Sequence, residues 1–374
     1  MKKLCMFFLM SFLIVANFYG QKNKQSYFKL DGTINADTGT VFLRFHSDYI
    51  PNKAKELVAQ VKNNKFSFSG YIPEPQSVFI LYVDRYMSSE FIIEKGIQTI
   101  SINTDSTRKV PVVLNNTMSN EYPHYTAYFE QASIKGKLYN QKLDSLEKLY
   151  NYDLPKAIKI DLKNEDDNLY EEGNRLLLRY AEKNPGSRIA LWSLIQRMTW
   201  GYEPIFDSIY NAFSGELKNG YAGSVLNKKL KNGKILSIGN LFPTLQCVNR
   251  SNEKFSTAIF FKKKLTLVDF WYTGCGPCRA QFNKLKDLYN QFSNRGFEIV
   301  GVSEDSETDK KKWEDVIIKD KLIWQQYWDM NGKNAHSLSI YALPTNFLID
   351  STGKIIAKNI SLEALEVLLN KSLK

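Results

Sequence analysis

The fold of this chain depends on Leu265-Thr266-Leu267-Val268-Asp269-Phe270-Trp271-Tyr272-Thr273-Gly274-Cys275-Gly276-Pro277-Cys278-Arg279-Ala280. The first seven residues are apolar and β-prone, and they predict a buried strand. A short turn, Tyr272-Thr273-Gly274, leads to the cysteines, and the period then changes. Phe282, Leu285, Leu288, Tyr289 and Phe292 fall on one face of a helix, and Gly296 sits where that helix would end. Two cysteines therefore stand at the N-terminus of a helix that follows a buried strand.

That placement is chemical. Unfilled N–H groups at a helix N-terminus favour negative charge, and the thiolate is the reactive form of cysteine. Cys275, at the helix mouth, is expected to have a lowered pKa and to be the attacking sulfur. Cys278 faces it one turn further in and can close a disulfide. Pro277 suits the first helical turn, where its missing N–H costs nothing. Asp269 lies six residues before Cys275, in an apolar run. Burial there predicts a raised pKa and a proton to trade with Cys278.

The run VDFWYTGCGPC resembles the active site of the thioredoxin superfamily, with Asp269 at that family's buried aspartate. The likeness continues through Phe297–Ser303 as the next strand. It extends through Leu343-Pro344-Thr345-Asn346-Phe347-Leu348-Ile349-Asp350 as the cis-proline strand, then a Ser351-Thr352-Gly353 turn, a last strand and a helix. Within the superfamily it is similar to the TlpA/ResA-like thiol-disulfide proteins of the cell envelope. Their opening β-hairpin resembles Leu241–Leu245 with Lys254–Ser256. The resemblance implies a cis Pro344 beside the cysteines and a Leu343 backbone that pairs with a substrate strand. It also implies that the proline keeps metal ions off the cysteine pair. Trp271 belongs to the same supporting set. The sequence departs from the family twice. Gly274 stands where a tryptophan commonly precedes the first cysteine, and Asp269 stands where many TlpA-like members carry asparagine.

At 374 residues the chain is long enough for two or three domains. Its 50 basic and 39 acidic residues leave a net charge of +11, but they are scattered and no nucleic-acid motif accompanies them. Lys2-Lys3 followed by the apolar run Leu4–Phe18 reads as a secretory signal, residues 1–20, with 4–18 as a membrane tether if it is not cleaved. Cys5 lies too early to resemble a lipoprotein acceptor. Of the remaining cysteines, Cys275 and Cys278 form a redox pair. Cys247, in a predicted strand, is either a buried apolar bystander or a third redox thiol.

Residues 21–115 alternate and turn often: Tyr27–Leu30, Val41–Phe45, Lys65–Gly70, Ser77–Val83, Phe91–Ile93 and Gln98–Ile102 predict an antiparallel β-sandwich. The segment resembles a domain of unknown function found ahead of TlpA-like domains in Gram-negative envelope proteins. His46 and Asp48 lack a spaced partner and are read as surface loop. Residues 116–235 shift to helix formers and predict a helical spacer. Its helices run over Gln141–Tyr150, Asp167–Lys183, Arg188–Thr199 and Pro204–Phe213, with an acidic, exposed loop and helix start at 161–172. Trp192, Trp200, Tyr202 and Phe206 are expected in its core. Residues 236–374 form the α/β thioredoxin-like redox domain. There Ser306-Glu307-Thr308-Asp309 predicts a capping box opening a helix to Lys319, Leu322–Trp328 a strand, and Asn331–Tyr341 a short helix.

No metal or cofactor is expected. Zinc needs about four ligands, and beyond this CxxC the chain offers no second one and only three histidines. Arg279 stands where covalent haem attachment requires histidine. The proline-threonine-cysteine pattern of peroxiredoxins is absent, with Val268 and Trp271 in those places. The expected activity is thiol-disulfide exchange with exported cysteine-containing proteins in the periplasm or envelope, supplied by a membrane electron donor. A role in apocytochrome maturation is implied by family likeness alone. The expected direction is that of a protein-disulfide reductase, with a disulfide oxidase or isomerase as the alternative. The rival reading is a ligand-binding envelope protein with a vestigial redox domain, against which both cysteines and the late proline are intact.

Overall fold

The computed structural model describes residues 25–46, 56–82, 86–105 and 111–374. The signal and tether segment, Cys5 and Asp48 lie outside the described residues. Among the described residues no helix is long and apolar enough to cross a membrane.

The N-terminal part is one hydrogen-bonded sheet. Its strands are β1 (Ser26–Ile34), β2 (Thr38–Phe45), β3 (Glu56–Lys62), β4 (Lys65–Ile72) and β5 (Gln76–Tyr82), followed by β6 (Tyr86–Met87), β7 (Phe91–Ile93), β8 (Gly96–Ile102) and β9 (Val113–Leu114). They run in the order β6-β5-β2-β3-β4-β1-β8-β9, with β7 also on β5. Alternation buries Phe28, Leu30, Val41, Leu43, Phe68 and Ile80 in one core. The β3–β4 turn uses Asn63 and Asn64, both left-handed at φ 51° and 63°, as a two-residue hairpin demands. The sheet departs from a purely antiparallel one, because β1 and β8 pair in parallel, Leu30 beside Gln98.

The helical middle contains α1 (Glu121–Tyr128), α2 (Glu130–Leu149), α3 (Lys156–Lys183), α4 (Arg188–Arg197), α5 (Ile205–Ala212), α6 (Gly215–Asn219) and α7 (Tyr221–Gly233). The acidic stretch at 161–172, expected as an exposed loop and helix start, is helical throughout. Its Glu172 and Glu165 meet Lys135 and Lys142 of α2 at 2.7 and 2.6 Å, so α3 starts eleven residues earlier than the apolar spacing indicates. Trp192, Tyr202 and Phe206 are buried in this core, but Trp200 is exposed. It sits on a short 3-10 turn that ends at Gly201, outside the buried helical core.

The C-terminal part contains β10 (Val248–Asn249), β11 (Leu265–Trp271), α8 (Gly276–Phe292), β12 (Phe297–Ser303), α9 (Lys310–Lys319) and β13 (Gln325–Trp328). α10 (Lys333–Ser337), β14 (Thr345–Asp350), β15 (Ile355–Lys358) and α11 (Leu362–Ser372) complete it. The mixed sheet runs β10-β13-β12-β11-β14-β15, with β12 parallel to β11 and β13, and β14 antiparallel to β11. One core, under α8 and α11, holds Leu267, Trp271, Phe282, Leu285 and both Cys275 and Cys278. The other face of the sheet holds Phe242, Phe255, Val268, Phe270 and Phe347.

Three local expectations give way here. The hairpin expected from Leu241–Leu245 and Lys254–Ser256 shrinks to β10 and a bridge between Val248 and Lys254, and Leu241 bridges Lys354 instead. Pro243 has no N–H to donate to such a ladder. Ser306 makes no capping bond: its hydroxyl donates to Asp309, and a 3-10 turn at Glu307–Asp309 precedes α9. Leu322 and Trp324 are buried, but β13 begins only at Gln325, after a left-handed Lys321 bends the chain.

Candidate functional site

Strand β11 is buried along its whole length. Its alternation sets Leu265, Leu267, Asp269 and Trp271 on the face that packs against α8, and Thr266, Val268 and Phe270 on the other. Asp269 is therefore a carboxyl beneath the cysteine-bearing helix, 3% exposed. Burial pushes its pKa up to about 7. Trp271 lies at the end of the strand, fully buried, where its indole N–H donates to Gln326 Oε1 at 3.1 Å. Its ring meets Phe282 edge-on at 5.2 Å. It supports the site from below rather than lining its rim.

The Tyr272–Gly274 turn carries the chain out of the sheet, with Cys275 N–H bonding to Tyr272 O at 3.0 Å. Cys275 is the N-cap of α8, with extended backbone at φ −78° and ψ 97°. Its Sγ accepts the Cys278 backbone N–H at 3.1 Å. A sulfur thus occupies the place that a serine or aspartate oxygen takes in an ordinary N-cap. Pro277 stands in the first turn, as its missing N–H allows. Cys275 and Cys278 are joined as a disulfide with Cα atoms 5.3 Å apart, and both are buried.

Strand β14 brings in the remaining expected residues. Its register sets Thr345 opposite Phe270 and Asn346 opposite Asp269, so Pro344 comes level with the end of β11. The Leu343–Pro344 bond is cis. Leu343 is partly buried against both sheet cores, including the one that contains the cysteines. Cys275, Cys278, Asp269, Trp271, Pro277, Leu343 and Pro344 are therefore gathered at one end of the sheet.

Residues 238–358 match the AhpC/TSA family, and residues 28–143 match DUF4369, a domain of unknown function. Residues 238–358 are a thioredoxin-like domain of the AhpC/TSA family. The match to DUF4369 agrees with the resemblance read in the N-terminal strands and runs on past them through α1. The chain is 27% identical over 153 residues to the thiol-disulfide oxidoreductase ResA of Oceanobacillus iheyensis, covering 39% of this chain and 79% of that protein. It is 32% identical over 96 residues to ResA of Bacillus thuringiensis, covering 26% of this chain and 54% of that protein, about half its length. A thiol:disulfide interchange protein from Bacteroides sp., solved in solution, is 32% identical; the match covers 37% of this chain and 91% of that one, with a TM-score of 0.33. The homologues of this AhpC/TSA domain are thiol-disulfide oxidoreductases.

Several residues that brace the site in the AhpC/TSA domain carry no sequence signal. Asp305, buried after β12, accepts Thr273 N–H at 3.1 Å and the Thr273 hydroxyl at 2.7 Å, clamping the turn before Cys275. Arg279 forks onto Asp320, with Nε and Nη2 at 2.9 and 3.1 Å, and ties the first turn of α8 to the end of α9. Glu304 donates its backbone N–H to Trp271 O at 2.9 Å. Burial, with Asp329 and Asp305 nearby, pushes its carboxyl up to about 8. Cys247 is buried in the core on the opposite face of the sheet from the cysteine pair, and burial pushes its thiol up to about 12. It has the position and chemistry of an inert apolar residue. Among the described residues, no group of three or more His, Cys, Asp or Glu side chains is placed to hold a metal ion.

Proposed function

We propose that this chain is an exported thiol-disulfide reductase of the cell envelope, acting through Cys275 and Cys278 of a redox domain at 236–374. The observation that carries the proposal is the capping geometry: a cysteine sulfur at the mouth of α8, accepting the Cys278 amide, above a buried Asp269. In the reduced protein, that amide and the helix N-terminus would stabilise the Cys275 thiolate. The thiolate attacks one sulfur of a partner disulfide, forming a mixed disulfide, and the partner's other sulfur leaves as a thiolate. Cys278 then gives its proton to the Asp269 carboxylate and attacks Cys275 Sγ. The second partner sulfur is released, the Cys275–Cys278 disulfide closes, and two electrons have passed to the partner. A membrane electron donor would restore the dithiol. The backbone of Leu343, beside Pro344, would hold the partner's extended segment. The apolar run at 4–18 supports export or tethering, and the partners are exported cysteine-containing proteins.

The test is the reduction potential of the pair, read by thiol tagging across glutathione and dithiothreitol buffers. A value near about −270 mV is expected for a reductase, whereas about −120 to −180 mV would make the chain an oxidase or isomerase. If no pair titrates, the redox reading is wrong and the ligand-binding alternative stands. Cys275→Ser is expected to abolish turnover and Cys278→Ser to accumulate mixed disulfides.

A further inference from the structure

Far from the cysteines in sequence, a cavity of about 470 Å³ opens between the N-terminal sheet and the helices. β5, the segment from Met87 to Glu90, α1 and α4 supply its walls. Phe79, Tyr122, Tyr125 and Trp192 supply aromatic rings to those walls, beside the hydroxyls of Ser77, Ser88, Thr126 and Ser193. Glu90 is the one charged side chain among the described residues that line it. The volume lies within the range of small-molecule sites, which are mostly apolar with a few fixed polar groups.

Glu90 is held in an unusual way. Ser77 Oγ donates to its Oε2 at 2.6 Å, the Gln196 amide donates to the same oxygen, and His46 Nε2 lies 3.2 Å from it. The His46 ring in turn stacks on Trp192 at 5.5 Å. The surface-loop reading of His46 is therefore corrected, since its partner lies 44 residues further along the chain. Burial alone would raise the Glu90 pKa, but its bonds to His46, Ser77 and Gln196 outweigh that and lower it. The carboxylate stays ionised at neutral pH, and its three contacts among the described residues converge on one of its two oxygens.

A tie between β5, the sheet edge and α4 accounts for those contacts on Oε2. It does not account for the open space beside the same carboxylate. We propose that this cavity binds a small organic ammonium ion with an apolar or aromatic body, its cation at Glu90 and its body against Tyr122 and Tyr125. A charge-assisted bond to a positioned carboxylate favours such a cation, and the tyrosine rings offer apolar surface to its body. The site is independent of the cysteine chemistry.

The probe is phenethylammonium, with 2-phenylethanol and 3-phenylpropionate as neutral and anionic counterparts of similar shape, added to the full chain and followed by saturation-transfer NMR. Binding of the ammonium in the range of about 0.1 to 10 mM is expected for a ligand of this size, with the other two at least roughly tenfold weaker. Glu90→Gln is expected to cost roughly tenfold or more in affinity. Met87→Trp, at a half-exposed lining position, is expected to block the cavity without touching the buried contacts. Disulfide exchange should be unchanged in both variants. The proposal is overturned if the ammonium fails to bind up to about 10 mM or if either counterpart binds as well. It is also overturned if the variants keep the parent affinity. Should circular dichroism show Glu90→Gln unfolded, Met87→Trp alone decides.

Discussion

With its carboxyl raised from the ordinary 3.8 to about 7 by burial, Asp269 couples the fold to pH. Between those values the folded chain keeps a proton that the unfolded chain has released. Folding is therefore favoured at the acid end of the window, and stability is lost as pH rises through about 7. Asp269→Asn, neutral throughout, is expected to match the parent near pH 4. Above pH 8 it should exceed the parent by up to about 4 kcal/mol in urea unfolding of the oxidised protein. A difference that does not change with pH would show that another group titrates. The same variant should slow resolution of the mixed disulfide. Asp269 is legible in sequence because a carboxylate inside an apolar strand is carried into the core with its neighbours, at a desolvation cost that packing alone does not repay. Asp305 is not, since its partner Thr273 lies 32 residues away and only the fold joins them. Asp305→Ala would orphan the buried Thr273 N–H and hydroxyl, and an expected cost of about 2–4 kcal/mol is measurable by the same unfolding. Asp305→Asn should recover part of it.

At the scale of elements, the helix that carries the cysteines is fixed at both ends by residues that the sequence exposes. Cys275 and Pro277 open α8, and the chain leaves it through a 3-10 turn closed by Gly296 at φ +104°. An alanine there would adopt a left-handed conformation, and its Cβ would meet Lys264 Cγ at 3.0 Å. Gly296→Ala is expected to destabilise the chain by about 1–2 kcal/mol while leaving the reduction potential of the pair unchanged. A shifted potential would mean that the far end of α8 is coupled to its N-terminus. Strand β11, helix α8 and strand β12 are readable because each buries a full face, and burial writes periodicity into sequence. Strand β3, Glu-Leu-Val-Ala-Gln-Val-Lys, keeps only Val61 buried and carries no such pattern, so its place rests on pairing with β2. The first part of α3 is hidden for a related reason, because charge pairing to α2 rather than an apolar stripe holds it. The His46–Glu90 contact is equally illegible, being made across strands.

At the scale of the molecule, polar ties join the three parts, alongside apolar contacts such as that of Ile92 of β7 in the helical core. Glu74, just before β5, accepts the backbone amides of Tyr221 and Ala222 at the start of α7. Glu366 of α11 holds both Lys156 of α3 and Lys284 of α8, at 2.8 and 2.9 Å. Lys358 of β15 is mostly buried, meets Glu203 at 2.7 Å and donates to the Tyr202 carbonyl. These ties matter for function because α3, Trp200 and the β14–β15 edge enclose a groove of about 750 Å³ that reaches Pro344. A partner polypeptide docking beside the cis-proline would meet the helical segment as well as the AhpC/TSA domain. Lys358→Met removes the tie while keeping most of the side-chain volume. Since Glu203 retains access to water, the expected cost is about 1–3 kcal/mol, below that of a fully buried pair. The variant should therefore stay folded, with the groove wall less firmly held. Reduction of a small disulfide such as hydroxyethyl disulfide, which needs the cysteine pair but no docking surface, should proceed at the parent rate, whereas exchange with a folded or extended protein disulfide should slow severalfold. Equal slowing of both would place the effect at the cysteines, and slowing of neither would remove the helical segment from partner binding.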